Sequence, residues 1–346
     1  MQAATSSHDW VSHLRSLVDA RLAAHFADKR ATTAALAPEG LELLDEVEAL
    51  TMRGGKRLRP ALAYAAHAAV GAAPSADVVE AGAALELLQT YLLIHDDWMD
   101  ADEERRGGPS VHVALRGKDG RDAHLGASLA VLAGNLASAH AWELLTRIGG
   151  PERRLRAAIE VFLAIHQEVV VGQQLDLIAS DRVALMQQLK TGSYTVRGPL
   201  ALGAVLAGAS DAQRKALEAY GSPLGEAFQL RDDLLGTFGD RSALGKPTGN
   251  DLRAGKRTAL IAAAEERASP SEREAIEAAL GDPAASDAAV ARARDALLTS
   301  GARAAVESRA VTLLERAKAA LEGAPLRAEG VAMLRDLADR LAIRDQ

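Results

Sequence analysis

The chain contains no cysteine, so it can form no disulfide, no thiolate zinc site and no cysteine nucleophile. Aromatic residues make up only 3% of its 346 residues, and the alternating pattern typical of strands is nearly absent. No stretch reaches the roughly 18 consecutive apolar residues that a membrane-spanning helix needs. The first residues also lack the charged-then-apolar pattern of a signal peptide. We therefore expect a cytoplasmic protein without a membrane span.

The chain also lacks an excess of positive charge. Its 40 lysines and arginines are outnumbered by 47 aspartates and glutamates, which gives a net charge of -7. This balance argues against a nucleic-acid partner and against a basic membrane-binding face. Short-period repeats and linkers are not evident either. We therefore expect one domain over residues 1–346, with residues 1–8 disordered.

Alanine and leucine dominate the 48% of the chain that is apolar, and both residues favour helices. Apolar residues recur with helical periodicity along most of the sequence. This periodicity predicts helices over residues 10–26, 41–50, 60–70, 76–100, 128–148, 152–179, 183–207 and 211–238, with loops near 105–126 and 239–255. The predicted fold class is all-α.

An acidic cluster follows the apolar end of the predicted helix 76–100. Asp96 and Asp100 lie one helical turn apart, about 6 Å along the axis. Like charges at this spacing destabilise a helix, and the dipole at a helix C-terminus disfavours negative charge. The arrangement suits a hard divalent cation such as Mg2+, which prefers carboxylate and phosphate oxygens. The alternative interpretation is an ordinary solvated helix face.

A second acidic pair, Asp232 and Asp233, lies inside the apolar helix 211–238. An unpaired buried charge is very costly, so this pair requires compensation. Arg231 could supply it as a structural partner. If the two acidic helices face one cavity instead, they form a multi-metal site for a polyphosphate.

Basic residues that could bind phosphate occur in three places. A guanidinium group binds two phosphate oxygens at once, although each of these residues could equally be a surface charge. The candidates are Lys56, Arg57 and Arg59 in a glycine turn, Arg105 and Arg106 after the first acidic cluster, and Lys246 and Lys256 in a glycine-rich loop. A P-loop is excluded, because the spacing from Gly249 to Lys256 is one residue too long and Arg257 replaces the required Ser or Thr.

Together these features resemble the trans-prenyl diphosphate synthase family, from about residue 54 to about residue 258. The matching segments are GGKRLRP at 54–60, DDxxD at 96–100, RRG at 105–107, GxPTxH at 108–112 with Ser110 for Thr, GQxxD at 172–176, KT at 190–191, FQxxDD at 228–233 and the closing loop at 245–256. Each motif alone is weak, but their joint order and spacing are specific.

The resemblance implies a role for each matching residue. By that resemblance Asp96, Asp100 and Asp232 bind magnesium, about three ions per site, and Arg105 contacts the allylic diphosphate. The expected catalytic residues are Asp96, Asp100, Arg105, Lys190, Asp232 and Lys246. The expected substrate-binding residues are Lys56, Arg59, Gln89, Arg105, Arg106, Lys190, Thr191, Gln229, Lys246 and Lys256, of which Lys56, Arg59, Gln89 and Arg106 would serve isopentenyl diphosphate.

The resemblance also implies the isoprenoid synthase fold, an antiparallel helical bundle around a central cavity, usually assembled as a homodimer. In such enzymes magnesium draws diphosphate off the allylic substrate to leave an allylic cation. The double bond of isopentenyl diphosphate then attacks this cation, and a proton is lost to the departing diphosphate. The protein supplies positioning and electrostatic stabilisation of the leaving group.

Product length is expected to depend on the side chains that precede Asp96 by about one helical turn, Tyr91 and Leu92. By resemblance, bulk at these positions acts as a floor for the growing chain. An aromatic residue at the farther position with a smaller neighbour favours geranylgeranyl diphosphate over farnesyl diphosphate. The alternative is that Tyr91 simply packs in the core.

Two departures from the family pattern stand out. Gly236 replaces the last aspartate of the second acidic motif, and Gln89 stands where many members carry histidine. Two other functions are also considered. A terpene cyclase needs an NDxxSxxxE motif, and Ala254 and Thr258 stand where its Ser and Glu would be. A non-catalytic subunit of a heteromeric synthase typically loses its acidic motifs, which this chain retains.

Overall fold

A computed structural model describes residues 9–73, 75–117, 120–178, 180, 182–239 and 249–342. The helices are α1 Asp9–Leu36, α2 Leu41–Met52, α3 Leu58–Val70, α4 Ala76–Met99, α5 Val111–Arg116, α6 Ala123–Thr146, α7 Glu152–Leu177, α8 Val183–Gln187, α9 Gly198–Ala207, α10 Asp211–Phe238, α11 Asn250–Arg253, α12 Ala259–Arg267, α13 Pro270–Glu277, α14 Asp287–Thr299, α15 Ala302–Ala320 and α16 Ala328–Ala342. A 3-10 turn at Pro38–Gly40, a π-helical segment at Gln188–Arg197 and a small hairpin of β1 Glu104–Arg105 with β2 Gly108–Pro109 complete the described elements.

The prediction of an all-α fold is confirmed, while several boundaries differ. Helix α1 ends at Leu36 rather than at residue 26. Beyond Phe26 none of its side chains is buried, and this part is held by ion pairs, such as Lys29 with Glu143, instead of by a buried apolar stripe. The predicted loop 105–126 is wrong in part, because it contains the hairpin and α5. Helix α5 buries Val111 and Leu115, a pattern too short to register as periodic.

The predicted helix 183–207 also differs, because its residues Gln188–Arg197 form the π-helical segment. Within the predicted loop 239–255, residues 250–253 form the short helix α11. The expected disorder of residues 1–8 and the position of Lys246 fall outside the described residues. None of the described helices is both long enough and apolar enough to cross a membrane.

The described residues fall into two compact units. The first unit comprises those within Met1–His166, Gly198–Glu218 and Gly323–Leu337. The second unit comprises those within Gln167–Arg197, Ala219–Glu322 and Ala338–Gln346. The expectation of one domain stays a prediction, and each unit is described by itself.

Helix α4 forms the centre of the first unit. Its leucines 85, 87 and 88 and its Ile94 have essentially no exposure, because α4 packs against α1, α3 and α6. Burying this apolar surface is the main stabilising contribution of the unit. Close helix contact requires small residues. A side chain on Gly203 of α9 would overlap the backbone at Ala63 of α3, and one on Gly134 of α6 would overlap His95 of α4.

The second unit packs α12 against α15 and α13 against α14 around a core that includes the fully buried Tyr220. Side-chain caps fix where its helices begin. Thr258 accepts a hydrogen bond from Ile261 N at the start of α12, and Ser269 forms a capping box with Glu272 at the start of α13. The cap at Thr258 also fixes the position of the next residue, Ala259, whose backbone amide contacts α10.

Candidate active site

The acidic end of α4 contains two kinds of aspartate. Asp97 is fully buried, and Arg105 Nε donates to its Oδ1 at 2.6 Å. The same guanidinium also donates to Asp102 Oδ2 at 3.2 Å and lies 3.9 Å from Asp96 Oδ2. Asp96 keeps 24% of its side chain exposed, and Asp100 is half-buried at the C-cap of the helix. The acidic motif therefore has one aspartate held inside the protein and two carboxylates nearer to solvent.

Burial is the main influence on the charge of Asp97. It raises the pKa of this carboxyl to about 6, whereas the charge and hydrogen bond of Arg105 act in the opposite direction. The neighbouring carboxylates Asp96 and Asp102 raise the pKa further. The negative charge of the buried Asp97 is thus offset mainly by Arg105. Arg105 therefore has a structural contact in addition to its expected role with substrate.

The two basic motifs of the first unit meet at the glycine turn. A side chain on Gly55 would lie 3.5 Å from Arg106 Nη2 and 3.7 Å from Arg57 Nη1. The backbone at this junction is unusual, because Arg57 and Arg106 both adopt positive φ, 48° and 54°. Non-glycine residues at positive φ are strained and occur preferentially at functional sites. Arg106 is further fixed by donating from Nη1 to Leu50 O at 3.2 Å.

Positive charge is concentrated at this junction. Burial lowers the pKa of Arg106, and the nearby Arg57, Arg59 and Arg105 lower it further, while Glu86 opposes them. Such a cluster of guanidinium groups attracts a polyanion. Lys56, in the same turn, is exposed, and Arg59 is largely buried.

Arg57 has an internal function in the turn. Its guanidinium donates to Glu86 Oε2 at 2.5 Å, to Asp19 Oδ1 at 2.8 Å and to Thr51 O at 3.0 Å. The side chains of Arg57 and Glu86 are each only 2% exposed. Arg57 therefore fastens the turn to α1, α2 and α4.

The second acidic pair, like the first, combines a more exposed aspartate with a buried one. Asp232 is exposed on α10, whereas Asp233 is only 5% exposed. Asp233 accepts hydrogen bonds from Gln229 Nε2 at 2.7 Å and from the backbone amide of Ala259 at 3.0 Å. Burial raises the pKa of Asp233 to about 7, and these two hydrogen bonds oppose the shift. Gln229, predicted to bind substrate, is thus also a structural partner of Asp233.

The space beside Gly236 is already occupied by a carboxylate. A Cβ on Gly236 would overlap Asp251 Oδ2 of α11. Asp251 Oδ1 lies 3.7 Å from the Nζ of Lys256, a predicted substrate-binding residue that keeps 36% of its side chain exposed. The carboxylate that the acidic motif lacks at position 236 is therefore replaced in space by Asp251.

Lys190 and Thr191 lie half-buried in the π-helical segment. Lys190 Nζ donates to Asp176 Oδ2 at 2.5 Å, which joins the KT element to the aspartate of GQxxD. Gly172 permits this pairing, because a side chain there would overlap the backbone at Lys190. The sequence places Asp176 in a motif, but its contact with Lys190 is visible only in the fold.

The remaining predicted residues lie on α4. Gln89 is half-buried, as are Tyr91 and Leu92. The ring of Tyr91 meets His95 and His166 edge to face, with centroids 4.8 Å and 5.1 Å away. His166 in turn stacks on Trp142 at 6.5 Å. Tyr91 therefore belongs to an aromatic cluster that restricts its motion.

A cavity of about 620 Å3 in the second unit does not coincide with the acidic pair. Its lining includes Gln229, Thr258 and Arg257, but neither Asp232 nor Asp233. The candidate active site is therefore defined by the positions of the carboxylates and of the basic clusters, and not by this cavity.

Sequence and structure comparisons agree on one group of proteins. A family model described as polyprenyl synthetase matches residues 42–297. The chain is 37% identical to a short chain isoprenyl diphosphate synthase of Methanothermobacter thermautotrophicus, over 69% of this chain and 72% of that protein. It is 34% identical to a geranylfarnesyl diphosphate synthase of Aeropyrum pernix, over 85% and 92%.

A solved structure is similar over nearly the whole chain. It is the geranylgeranyl pyrophosphate synthase of Corynebacterium glutamicum complexed with isoprenyl diphosphate and magnesium. The TM-score is 0.89 at 35% identity, and the match covers 96% of this chain and 98% of that one.

Proposed function

This chain belongs to the polyprenyl synthetase family and is a trans-prenyl diphosphate synthase, and from that premise we propose its substrates, its product and the residues that act. It condenses isopentenyl diphosphate with dimethylallyl, geranyl or farnesyl diphosphate, and its main product is geranylgeranyl diphosphate, with farnesyl diphosphate as the next candidate. The relatives of similar sequence are named for products of different lengths, so membership of the family does not by itself determine the product of this chain.

The observation that carries the proposal is the position of Arg105 and Arg106. These two adjacent residues contact different clusters: Arg105 bonds to the acidic end of α4, and Arg106 lies against the Gly55 turn. One diphosphate bound near Arg105 and another near Arg106 would therefore lie side by side. Holding two reactants in this way lowers the barrier by positioning them before reaction.

The donor set in both acidic motifs fits magnesium. Asp96 and Asp100 offer carboxylate oxygens one turn apart, and Asp232 is exposed on α10 with Asp251 close to position 236. Hard oxygen ligands with room for phosphate oxygens are what Mg2+ prefers. We assign Asp96, Asp100 and Asp232 as ligands, about three ions per site. When bound, these ions neutralise the charge that develops on the departing diphosphate.

The chain's own residues hold and orient the substrates. Lys56, Arg59, Arg106 and Gln89 of α4 bind isopentenyl diphosphate. Arg105 binds the allylic diphosphate while retaining its contact with Asp97. Lys190, Thr191, Gln229, Lys246 and Lys256 complete the substrate contacts. Because charge increases on the leaving group during the reaction, the lysines and arginines of this set stabilise the transition state more than the ground state.

Tyr91 and Leu92 limit the product. The edge-to-face contacts of Tyr91 with His95 and His166 hold its ring in place, so it can stop a growing hydrocarbon chain. Leu92 is smaller and leaves more room than a second aromatic residue would. This combination supports the geranylgeranyl product over the shorter farnesyl product.

The protein acts as a homodimer, and α6 is a candidate for the interface. Leu125 and Leu132 lie two helical turns apart on α6 and are 43% and 52% exposed. A second copy of the chain would cover this apolar face. Light scattering of the purified protein reports the assembly, and Leu132→Glu should shift it toward the monomer without loss of helix content.

The test of the proposed function is a product assay. Purified protein is incubated with Mg2+, isopentenyl diphosphate and each of the three allylic diphosphates in turn, and the dephosphorylated products are separated by chromatography. We expect a C20 alcohol from every starter. A cyclic hydrocarbon would instead indicate a terpene cyclase, and no product from any starter would indicate a non-catalytic subunit.

A further inference from the structure

Helices α1 and α6 bring together His25, His140 and Glu143 in the first unit. One donor atom from each residue lies within 4.8 Å of the others. Within the described residues, this is the one group of three or more His, Cys, Asp or Glu side chains that meets this spacing. None of the three belongs to the motifs assigned to catalysis, so a different explanation is needed for their convergence.

The two imidazoles are buried without the partners that buried polar groups normally have. His25 has no exposure and His140 has 6%. Both ring nitrogens of His25 and Nε2 of His140 lack a hydrogen-bond partner among the residues that the structure describes. The rings meet edge to face with centroids 4.9 Å apart. Since buried polar atoms are nearly always satisfied, three such nitrogens at one point indicate a site for a ligand.

The protonation states suit a metal ion. Burial lowers the pKa of His25 to about 4, with a further contribution from His140, and burial also lowers the pKa of His140. Both rings are therefore neutral near pH 7, the form that coordinates metal. Burial raises the pKa of Glu143, but Lys29 and Arg147 outweigh it and lower the value to about 2, so Glu143 is a carboxylate.

Glu143 has one oxygen directed at the imidazoles. Lys29 Nζ and Arg147 Nη2 both bind Oε1, each at 2.6 Å, whereas Oε2 lies 3.6 Å from His140 Nδ1. The Glu143 side chain is 31% exposed, so it offers a route from solvent to the buried rings. The two cations oppose a divalent ion and should limit its affinity.

We propose that His25, His140 and Glu143 form a structural site for a transition-metal ion such as Zn2+, separate from the magnesium ligands. Two imidazoles and one carboxylate suit zinc, whereas magnesium prefers oxygen alone. Donor atoms around tetrahedral zinc lie about 3.3 Å apart, given bonds of about 2.0 Å. A small inward rotation of the three side chains would therefore close the site. The bound ion would fasten α1 to α6, and this role does not depend on the proposed catalytic function.

The test is zinc binding by the full, untagged chain with Mg2+ in large excess to saturate the acidic motifs. Equilibrium dialysis measures bound zinc, and thermal unfolding measures its effect. We expect one zinc per chain and a rise in Tm of roughly 5 °C at a zinc concentration a hundredfold above the dissociation constant. His25→Leu should abolish both, while Asp96→Ala should keep both.

Two further variants separate a metal site from simple packing. Without metal, His25→Leu should unfold at the same temperature as the wild type or higher, because it removes two unsatisfied buried nitrogens. Lys29→Gln should tighten zinc binding severalfold, since it removes a competing cation. The matched control is His67→Gln, a buried histidine of α3 outside the cluster, which should bind zinc as the wild type does. Unchanged zinc binding in His25→Leu, or weaker binding in Lys29→Gln, would overturn the proposal.

Discussion

The ends of α4 and α10 carry similar acidic pairs that are stabilised in different ways. In each pair one aspartate reaches solvent, Asp96 or Asp232, and we call these the open aspartates. The other is buried, Asp97 or Asp233, and we call these the closed aspartates. Asp97 is compensated by the charge of Arg105, whereas Asp233 is compensated by the neutral amides of Gln229 and Ala259.

This comparison shows that two adjacent aspartates of one motif can have different roles. The open aspartates keep exposed surface, which a ligand needs. The closed aspartates position other parts of the site: Asp97 orients Arg105, and Asp233 fixes the start of α12. The third position of the motif also differs, because α4 is followed by Asp100 itself, while α10 has Gly236 with Asp251 of α11 beside it.

The largest expected effect concerns the open aspartates. Asp96→Ala and Asp232→Ala should each reduce kcat on the order of 10³-fold, because each removes a ligand that acts mainly as the leaving group gains charge. Their Tm should change little. Steady-state assays and thermal unfolding check both parts, and turnover near the wild-type level in either variant would show that the open aspartates are dispensable.

The next effect separates the two closed aspartates by stability. Asp97→Ala breaks the buried ion pair with Arg105, whose guanidinium keeps only the more exposed Asp102 and Asp96, and it should lower the free energy of unfolding by about 3–5 kcal/mol. Asp233→Ala leaves only neutral donors unsatisfied and should cost about 1–3 kcal/mol. Denaturant titration measures both values. Equal losses would mean that the charge of Arg105 does not distinguish the two pairs.

A smaller effect is expected at Gly236. From the family pattern of the second acidic motif alone, Gly236→Asp restores the missing aspartate and is expected to be close to neutral. The structure places Asp251 in that space, so the new side chain should displace Asp251 and reduce kcat severalfold. The double variant Gly236→Asp with Asp251→Gly should recover most of the activity. A large gain from Gly236→Asp alone would contradict the replacement of this carboxylate by Asp251.

The smallest effect on rate should accompany a change of product. Tyr91→Ala should lengthen the product by one or more isoprene units while turnover is largely kept, and Leu92→Phe should shorten it toward farnesyl diphosphate. Phe228, which precedes Asp232 by one turn on α10, is the matched control, and Phe228→Ala should leave chain length unchanged. If Tyr91 is only a core residue, its truncation should cost about 3–5 kcal/mol and leave the product the same.

Much of the site is predictable from the sequence because its motifs are local. The order and spacing of the acidic and basic segments indicate Asp96, Asp100 and Asp232, and helical periodicity indicates the all-α fold. The division into open and closed aspartates is not predictable in this way. It depends on Ala259, which is distant in sequence from Asp233, and on a hairpin that directs Arg105 back to Asp97.

Other features escape sequence analysis for the same reason. His25 and His140 are more than a hundred residues apart, and neither lies in a motif, so no sequence pattern joins them. In the sequence, Asp251 belongs only to the start of a cyclase motif that the chain does not complete. Its proximity to Gly236 arises from folding, so the sequence does not reveal it. From the sequence, Arg57 is grouped with the candidate phosphate-binding cations. Its contacts with Glu86 and Asp19 form only in the folded protein, so its internal role is not visible in the sequence.

The most direct test of this division is the turnover of the closed variants Asp97→Asn and Asp233→Asn, measured well below their unfolding temperatures. Asparagine keeps the shape of the side chain and one acceptor oxygen. This oxygen can face Arg105 at position 97, and at position 233 it can keep one of the two accepted hydrogen bonds, so the fold should survive. The division predicts kcat within about tenfold of the wild type, far above that of variants at Asp96 or Asp232. A loss on the order of 10³-fold in the closed variants, equal to that of the open ones, would contradict it.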